Sequence, residues 1–396
     1  MDVLQDKQWQ SLEQDIISWR RELHKIPELG NELPQTTQFI RSVLDELGIP
    51  YTSLMSGNAI VGLIEGDQPG KCIALRADTD ALPIKEDTGL EFASENGNMH
   101  ACGHDGHAAM LLGAAAWLQA HKDQIKGSVK LLFQPGEEFP GGAEPMIKEG
   151  ALENPHVDAV FGMHEGQIYP GLKSGLVGIK YGSMMAAMDR LFIKVIGKGG
   201  HGANPHLTID PITLSAEIIL SLQTIVSREN KPTEPIVLSI TRIDGGYNQN
   251  VIPDVVELEG TVRTLNHETR EWLSNRIKEV VGALAASRGA QVEIEHTFNY
   301  PPLINDSDMV DLAKNAALKL FGEENVIELA EPMMGGEDFA YFSNERPGAF
   351  VFLSNPQEVD GKFWGHHHPK FAVDESFFIH GAMLHAQMAL DYLQEA

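Results

Sequence analysis

Residues 99–107, reading Met-His-Ala-Cys-Gly-His-Asp-Gly-His, hold three histidines, a cysteine and an aspartate directly before an apolar, helix-forming run. Three further places carry the same chemistry: Glu137-Glu138, Met163-His164 and His366-His367-His368-Pro369. Thiolate, imidazole and carboxylate are the donors that bind borderline first-row cations. Four such clusters, each beside a predicted strand end, point to one metal centre assembled from distant parts of the chain.

Each cluster also has a plainer alternative. Cys102 and His104 are two residues apart, too close to share a helix face. A tight loop through Gly103 and Gly106 would still aim both at one point; otherwise this is a helix N-terminus with incidental histidines. His107 opens the helix and reads as structural. Gln134-Pro135-Gly136-Glu137-Glu138 leaves the predicted strand 129–133. Adjacent carboxylates there can divide labour, one binding metal and one acting as general base, although such a pair is commonly a solvated turn in so acidic a protein. His164 follows the predicted strand 157–161, where a core histidine is the usual occupant. Of His366, His367 and His368, at most one or two should face a common centre; otherwise the run is a solvent-exposed tract. Asp78, in Arg76-Ala77-Asp78-Thr79-Asp80, either orients a ligand imidazole or simply ends a strand. Gly199-Gly200-His201-Gly202 is a flexible loop whose histidine can donate to developing negative charge. Asn250 and Arg263 are candidate carboxylate-binding groups. The glycines of Gly335-Gly336-Glu337-Asp338-Phe339 allow close backbone approach to a ligand.

These positions need a scaffold, and the apolar pattern supplies one. Trp9, Leu12, Ile16, Trp19 and Leu23 recur at helical steps. Phe39, Ile40, Val43, Leu44 and Leu47 mark a second helix, stopped by Gly48 and Pro50. Strands at 60–64 and 72–76, an Ala-rich helix at about 108–120, and strands at 129–133 and 157–161 around a short helix near Met146 then alternate. That is an α/β pattern, a mixed sheet in three layers with helices on both faces, in which ligands bind beyond the strand carboxyl ends. From about Tyr181 the order becomes βαββαβ: strand 191–196, helix 211–227, strands 236–243 and 255–262, helix 268–286, strand 291–296. This is the ferredoxin-like arrangement. The chain then returns to helix 313–321, strand 349–353 and a terminal helix from about Glu375. The expected organisation is a discontinuous catalytic domain, 1–182 with 297–396, and an inserted domain, 183–296.

Composition narrows the function. At 396 residues, two domains are the default. Lys and Arg total 30 against 56 Asp and Glu, a formal net charge of -26. That excess argues against nucleic acid or anionic membrane partners, and no apolar run approaches a membrane span. The opening residues MDVLQDKQWQ lack a signal-peptide layout. Of the two cysteines, Cys72 sits in an apolar strand and Cys102 among histidines. A disulfide between them would remove the thiolate the cluster uses, so both are expected reduced and the location cytoplasmic.

The chain resembles the co-catalytic metallopeptidase family of aminoacylases and glutamate-type carboxypeptidases. Within it, the similarity is to the amidohydrolase branch of hippurate hydrolases and indole-acetyl-amino-acid hydrolases. It rests on Arg20-Arg21-Glu22-Leu23-His24, residues 76–83, 99–107, 134–138, Gly162-Met163-His164, 199–203, Asn250-Val251-Ile252-Pro253, 335–339 and His367-His368-Pro369, in family order along nearly the whole chain. The resemblance implies a zinc-peptidase-like catalytic domain with a lid and dimerisation domain. It implies two divalent ions, Zn2+ or Mn2+ with Co2+ and Ni2+ also open, held by Cys102, His104, Glu138, His164 and His367. Glu137 would be the general base and His201 the oxyanion partner. Other branches carry a metal-binding histidine where Arg76 stands and a bridging aspartate where Cys102 stands. The implied reaction is hydrolysis of N-acyl-L-amino acids to a carboxylic acid and an amino acid, with Asn250, Arg263 and Gly335 at the substrate. The implied assembly is a homodimer, or a tetramer, with His201 and Asn250 reaching their own or a partner's active site. A dipeptidase or carboxypeptidase on the same site is the rival hydrolase, and a non-catalytic carrier of amino acid derivatives the rival of another class.

Overall fold

A computed structural model of the chain describes residues 3–395. Two compact units emerge: one runs to Gly182 and resumes over Asn305–Glu331 and from Tyr341 onward, and the other comprises Ser183–Ile304 and Pro332–Ala340. Residues 297–304 follow the second unit because the strand Gln291–Tyr300 continues past His296. Pro332–Ala340, with Gly335, joins them through the bridge between Met185 and Met333.

The first unit is built on a mixed sheet of eight strands. From edge to edge these are Tyr51–Leu54, Ala59–Glu65, Lys126–Gln134, Gln68–Asp78, Ala159–Gly166, Gly348–Ser354, Val177–Ile179 and Val326–Glu328. The four central strands run parallel. Ala159–Gly166 is buried at every residue, as a strand covered on both faces must be. Three parallel strands therefore end side by side, at Asp78, Gln134 and Gly166.

Helix His104–Ala120 lies in the interior and is buried over His104–Leu118. Its sequence is apolar or small on all sides, which suits a helix with no solvent face. Close packing depends on missing side chains. A Cβ at Gly113 would come within 2.5 Å of Ile16, on helix Gln8–His24. A Cβ at Gly381, on helix Phe378–Glu395, would come within 2.0 Å of Met110 Sδ. The central helix is thus notched into one neighbour and receives the other.

Around the site, several boundaries differ from the sequence expectation. The central helix starts at His104, a turn earlier than 108, because Gly103 takes a left-handed backbone (φ 92°) and caps it. His164 lies inside its strand, which spans Ala159–Gly166, not 157–161. Asp78 is likewise the last residue of Gln68–Asp78. Both extensions arise because parallel pairing to neighbours carries the ladder beyond the most apolar residues. The edge strand Tyr51–Leu54 had no apolar signature and was not anticipated.

The second unit is a four-stranded antiparallel sheet ordered Ile236–Gly245, Val255–Thr264, Met188–Ile196, Gln291–Tyr300. Helices Pro211–Thr224 and His267–Arg288 complete a ferredoxin-like βαββαβ order. Buried and half-buried residues alternate along Val255–Thr264, the mark of a sheet covered on one face. Asn266 caps the second helix by accepting from Thr269 N–H at 2.7 Å, and Gly289 closes it in the left-handed region. Beneath it, Arg270 Nε donates to both oxygens of buried Asp189, at 3.2 and 2.9 Å, and Nη2 donates to the carbonyls of Asn299 and Tyr300.

Burial alone would raise the Asp189 carboxyl, but Arg270 and then His296, whose Nε2 lies 3.5 Å away, outweigh it and hold the group below the ordinary value. Asp189→Ala leaves a buried guanidinium unpaired and should lower stability by about 3–5 kcal/mol in chemical denaturation. A depressed folded-state value makes the pair's contribution complete above about pH 4 and lost as pH falls further. Asp189→Asn should flatten that acid limb; an unchanged acid dependence would refute the assignment.

Candidate metal centre

The clusters that are far apart in sequence meet at the ends of the parallel strands. Cys102 Sγ lies 3.4 Å from His164 Nε2, and Glu138 Oε1 lies 2.9 Å from His367 Nε2. Cys102, His104 and His164 each offer a ligand atom within 4.8 Å of the others, and so do Cys102, Glu138 and His367. Cys102 belongs to both groups. Donors on one ion at bonds of about 2.0–2.3 Å stand roughly 3–4 Å apart, close to the spacing of the Cys102–His164 and Glu138–His367 pairs.

Each donor is aimed by the backbone around it. Gly103 turns the chain so that Cys102 precedes the helix and His104 begins it. His104 Nδ1 donates to the Asp80 carbonyl at 3.1 Å, leaving Nε2 buried with no hydrogen-bond partner among the described residues. His164 Nδ1 donates to the Glu165 carbonyl at 2.8 Å, which directs Nε2 at the thiol. Fixing one ring nitrogen to free the other is how proteins prepare a metal-binding imidazole. Asp80 accepts from the N–H groups of Glu137 (2.9 Å) and Glu138 (3.1 Å), so a single carboxylate sets the whole acidic pair. His367 N–H donates to the Ala101 carbonyl at 2.8 Å, and its left-handed backbone (φ 65°) turns two consecutive histidines toward one region.

The electrostatics suit a cation. Burial, followed by the nearby Glu138, Glu137 and Asp78 carboxylates, pushes the Cys102 thiol well up. Burial would lower His104, but Asp78, Asp80 and Glu138 outweigh it and push it up to about 10. Burial, helped by His107 and His366, drives His164 well below its ordinary value. A divalent ion inverts this field, since a coordinating thiol is deprotonated outright. Burial would raise the Glu138 carboxyl, but His367 Nε2 at 2.9 Å and then His104 outweigh it and hold the group below its ordinary value.

Asp78 accepts from Arg76 Nη1 at 3.0 Å and from His107 Nδ1 at 2.5 Å, with His104 Nε2 farther off at 3.5 Å. His107 also accepts the Glu165 N–H at 2.9 Å, so both its ring nitrogens are engaged and it ties two strands together. In the second unit, His201 pairs with Val251 across two short strands, beside Asn250. His201 Nδ1 accepts the Ala203 N–H at 3.1 Å, which leaves Nε2–H as the donor. Asn250 is exposed and Arg263 half-buried, with Arg263 Nη1 donating to the Val262 carbonyl at 3.2 Å. Gly335 packs against Met185.

A model of peptidase family M20/M25/M40 matches residues 74–391. The chain belongs to this family. It is 43% identical over 370 residues to an N-acetyl-L-cysteine deacetylase of Bacillus subtilis, covering 93% of this chain and 86% of that one. It is 46% identical over 293 residues to an N-acyl-L-amino acid amidohydrolase of Geobacillus stearothermophilus, covering 74% and 78%. The crystal structure of a Bacillus subtilis protein described as a dinuclear metal-binding M20 peptidase superposes with a TM-score of 0.85 at 36% identity, covering 98% and 100%. This M20 chain is thus a metal-dependent hydrolase of amide bonds.

Sequence alone assigns no role to Asp80 or Glu165 at the M20 site and leaves the choice among His366, His367 and His368 open. Asp80 resembles Asp78 two residues earlier, and that same-face spacing at a strand end was the available signal. His366 was indistinguishable by type from its neighbours. Glu165 is fully buried; Asn355 Nδ2 donates to its Oε2 at 2.8 Å, and burial and then Asp105 keep its carboxyl well above the ordinary value. Its other oxygen rests on Gly103 and Gly106. A Cβ at Gly106 would meet Glu165 Oε1 at 1.9 Å, so Gly106→Ala should cost about 1–3 kcal/mol. Thermal denaturation of the variant checks this; an unchanged midpoint would show that the carboxyl can withdraw.

Proposed function

We propose that the chain hydrolyses N-acyl-L-amino acids, hippurate-like or N-acetylated, at a centre of two divalent ions. Cys102, His104, Glu138, His164 and His367 hold the ions, with Cys102 common to both groups. The observation that carries this reading is the position of Cys102 Sγ, 3.4 Å from His164 Nε2 and in one ligand group with Glu138 and His367. One thiolate among imidazoles and carboxylates suits Zn2+ or Mn2+, with Co2+ and Ni2+ also accommodated. When bound, the ions supply Lewis acidity for the amide carbonyl and lower the pKa of the attacking water.

The chain's own groups do the rest. Glu137 is buried next to Glu138, with its main chain fixed by Asp80. It takes the proton from the attacking water and delivers it to the leaving amine nitrogen, without which an amide does not part. His201 presents Nε2–H to the tetrahedral oxyanion, a contribution of a few kcal/mol in such sites. Asn250 and Arg263 hold the substrate's free carboxylate, and Gly335 admits the substrate close to the backbone. Asp78 fixes the surroundings of His104 by holding His107 and Arg76.

The second unit serves as lid and dimerisation surface. Its exposed Leu207, Ile212, Leu220, Ile243 and Tyr247 support a homodimer that covers them. Among the described residues no helix is long and apolar enough to cross a membrane. Both cysteines are free, in keeping with a reducing, cytoplasmic setting.

Glu137→Ala should retain its metal, measured by elemental analysis, while kcat falls at least about 100-fold. A metal-replete variant with full activity would end the general-base role. Hippurate and acetyl-amino acids offered beside dipeptides, with products read by mass spectrometry, should give hydrolysis of the acylated substrates. Turnover of dipeptides alone would make the protein a dipeptidase, and no turnover of any amide by the metal-loaded protein a carrier.

A further inference from the structure

His366 is the histidine of this region that the ligand set leaves out. Its Nδ1 lies 3.6 Å from Cys102 Sγ, on the sulfur that His164 Nε2 approaches at 3.4 Å. The ring is held on several sides. It stands edge-on to His164, with centroids 5.1 Å apart at 77°, and leans on Phe371 at 4.5 Å. On a third side it fills the space opened by Gly166, where a Cβ would come within 2.5 Å of Cε1 and 2.6 Å of Nε2. Gly166 is itself the last residue of the strand that bears His164, and its N–H donates to Asn355 at 2.7 Å. The clamp packs Nε2 against Gly166 and turns Nδ1 toward Cys102, its sulfur and its main chain.

We propose that His366 is a positioning residue that donates an Nδ1–H···S hydrogen bond to Cys102, orienting the thiolate and lowering its donor strength toward the metal ions. This rests on the two-ion reading above. A neutral imidazole has one N–H; placing it on Nδ1 gives the sulfur its donor. Hydrogen bonds to a ligating sulfur draw electron density from it, so the ion remains a stronger Lewis acid toward substrate. Cys102 belongs to both ligand groups, so one such bond would tune both ions.

The test is the cobalt-substituted protein, whose thiolate-to-cobalt charge-transfer absorption reports on the sulfur directly. Cys102→Ser should abolish the band. If the native protein shows none, the metal-centre reading itself fails, separately from the role of His366. His366→Phe keeps an aromatic ring without a donor and should shift the band to longer wavelength, because the sulfur lone pair is no longer stabilised. His366→Asn, whose amide N–H falls near the Nδ1 position, should restore the native wavelength. If the phenylalanine variant does not take up cobalt, His366→Gln, whose amide lies one carbon farther out, is read in its place and should show the same red shift. An unshifted band, or a shift that His366→Asn does not reverse, overturns the proposal. Loss of one nitrogen scatterer from the cobalt X-ray absorption spectrum of His366→Phe would make His366 a direct ligand and overturn it as well.

Discussion

The organisation of the first unit follows from gathering like-charged groups where burial makes their repulsion strong. Asp78, Asp80 and Glu137 are buried at or just past adjoining strand ends, with Glu138 nearly so and the Cys102 thiol beside them. In a low-dielectric interior such a set is tolerated only with close compensation. Arg76 supplies part of it through Asp78, and main-chain N–H groups supply more through Asp80. The remaining excess is what a pair of cations neutralises. Parallel strands achieve the gathering because their carboxyl ends fall on one side of the sheet, so three consecutive connections deliver their first residues to the same place.

Much of this was legible in the sequence, for a physical reason. Metal-binding side chains are rare enough that four clusters beside apolar runs stand out, and strand-end placement follows from periodicity. The βαββαβ order was equally plain, since each strand and helix of the second unit carries its own pattern. What could not be read depends on single backbone torsions or distant partners. Gly103 could have stood in any turn; only its left-handed φ places His104 on the helix, not before it. Which of three successive histidines faces the site is decided by the φ of His367, a conformation for which its side chain gives no sign. The Asp189–Arg270 pair joins residues 81 apart, beyond any local signal.

The residues that hold the donors differ in kind from the donors. His104 and His164 are anchored through main-chain carbonyls, and Glu137 and Glu138 through main-chain N–H groups. Anchors of this sort survive substitution of neighbouring side chains, because they belong to the ladder and the turns. Cys102 is the exception. Its sulfur is approached by side chains, His164 and His366 at 3.4 and 3.6 Å with Glu138 close by, so its geometry answers to those groups.

The glycine notches of the central helix bear on how such a protein could be redesigned. Ile16 sits against Gly113, and Met110 against Gly381, so the helix can neither rotate nor slide without collisions along its length. A library that seeks new selectivity would waste its diversity there. Variation confined to loops leaves that interlocked spine intact, and with it the placement of His104 at the spine's tip.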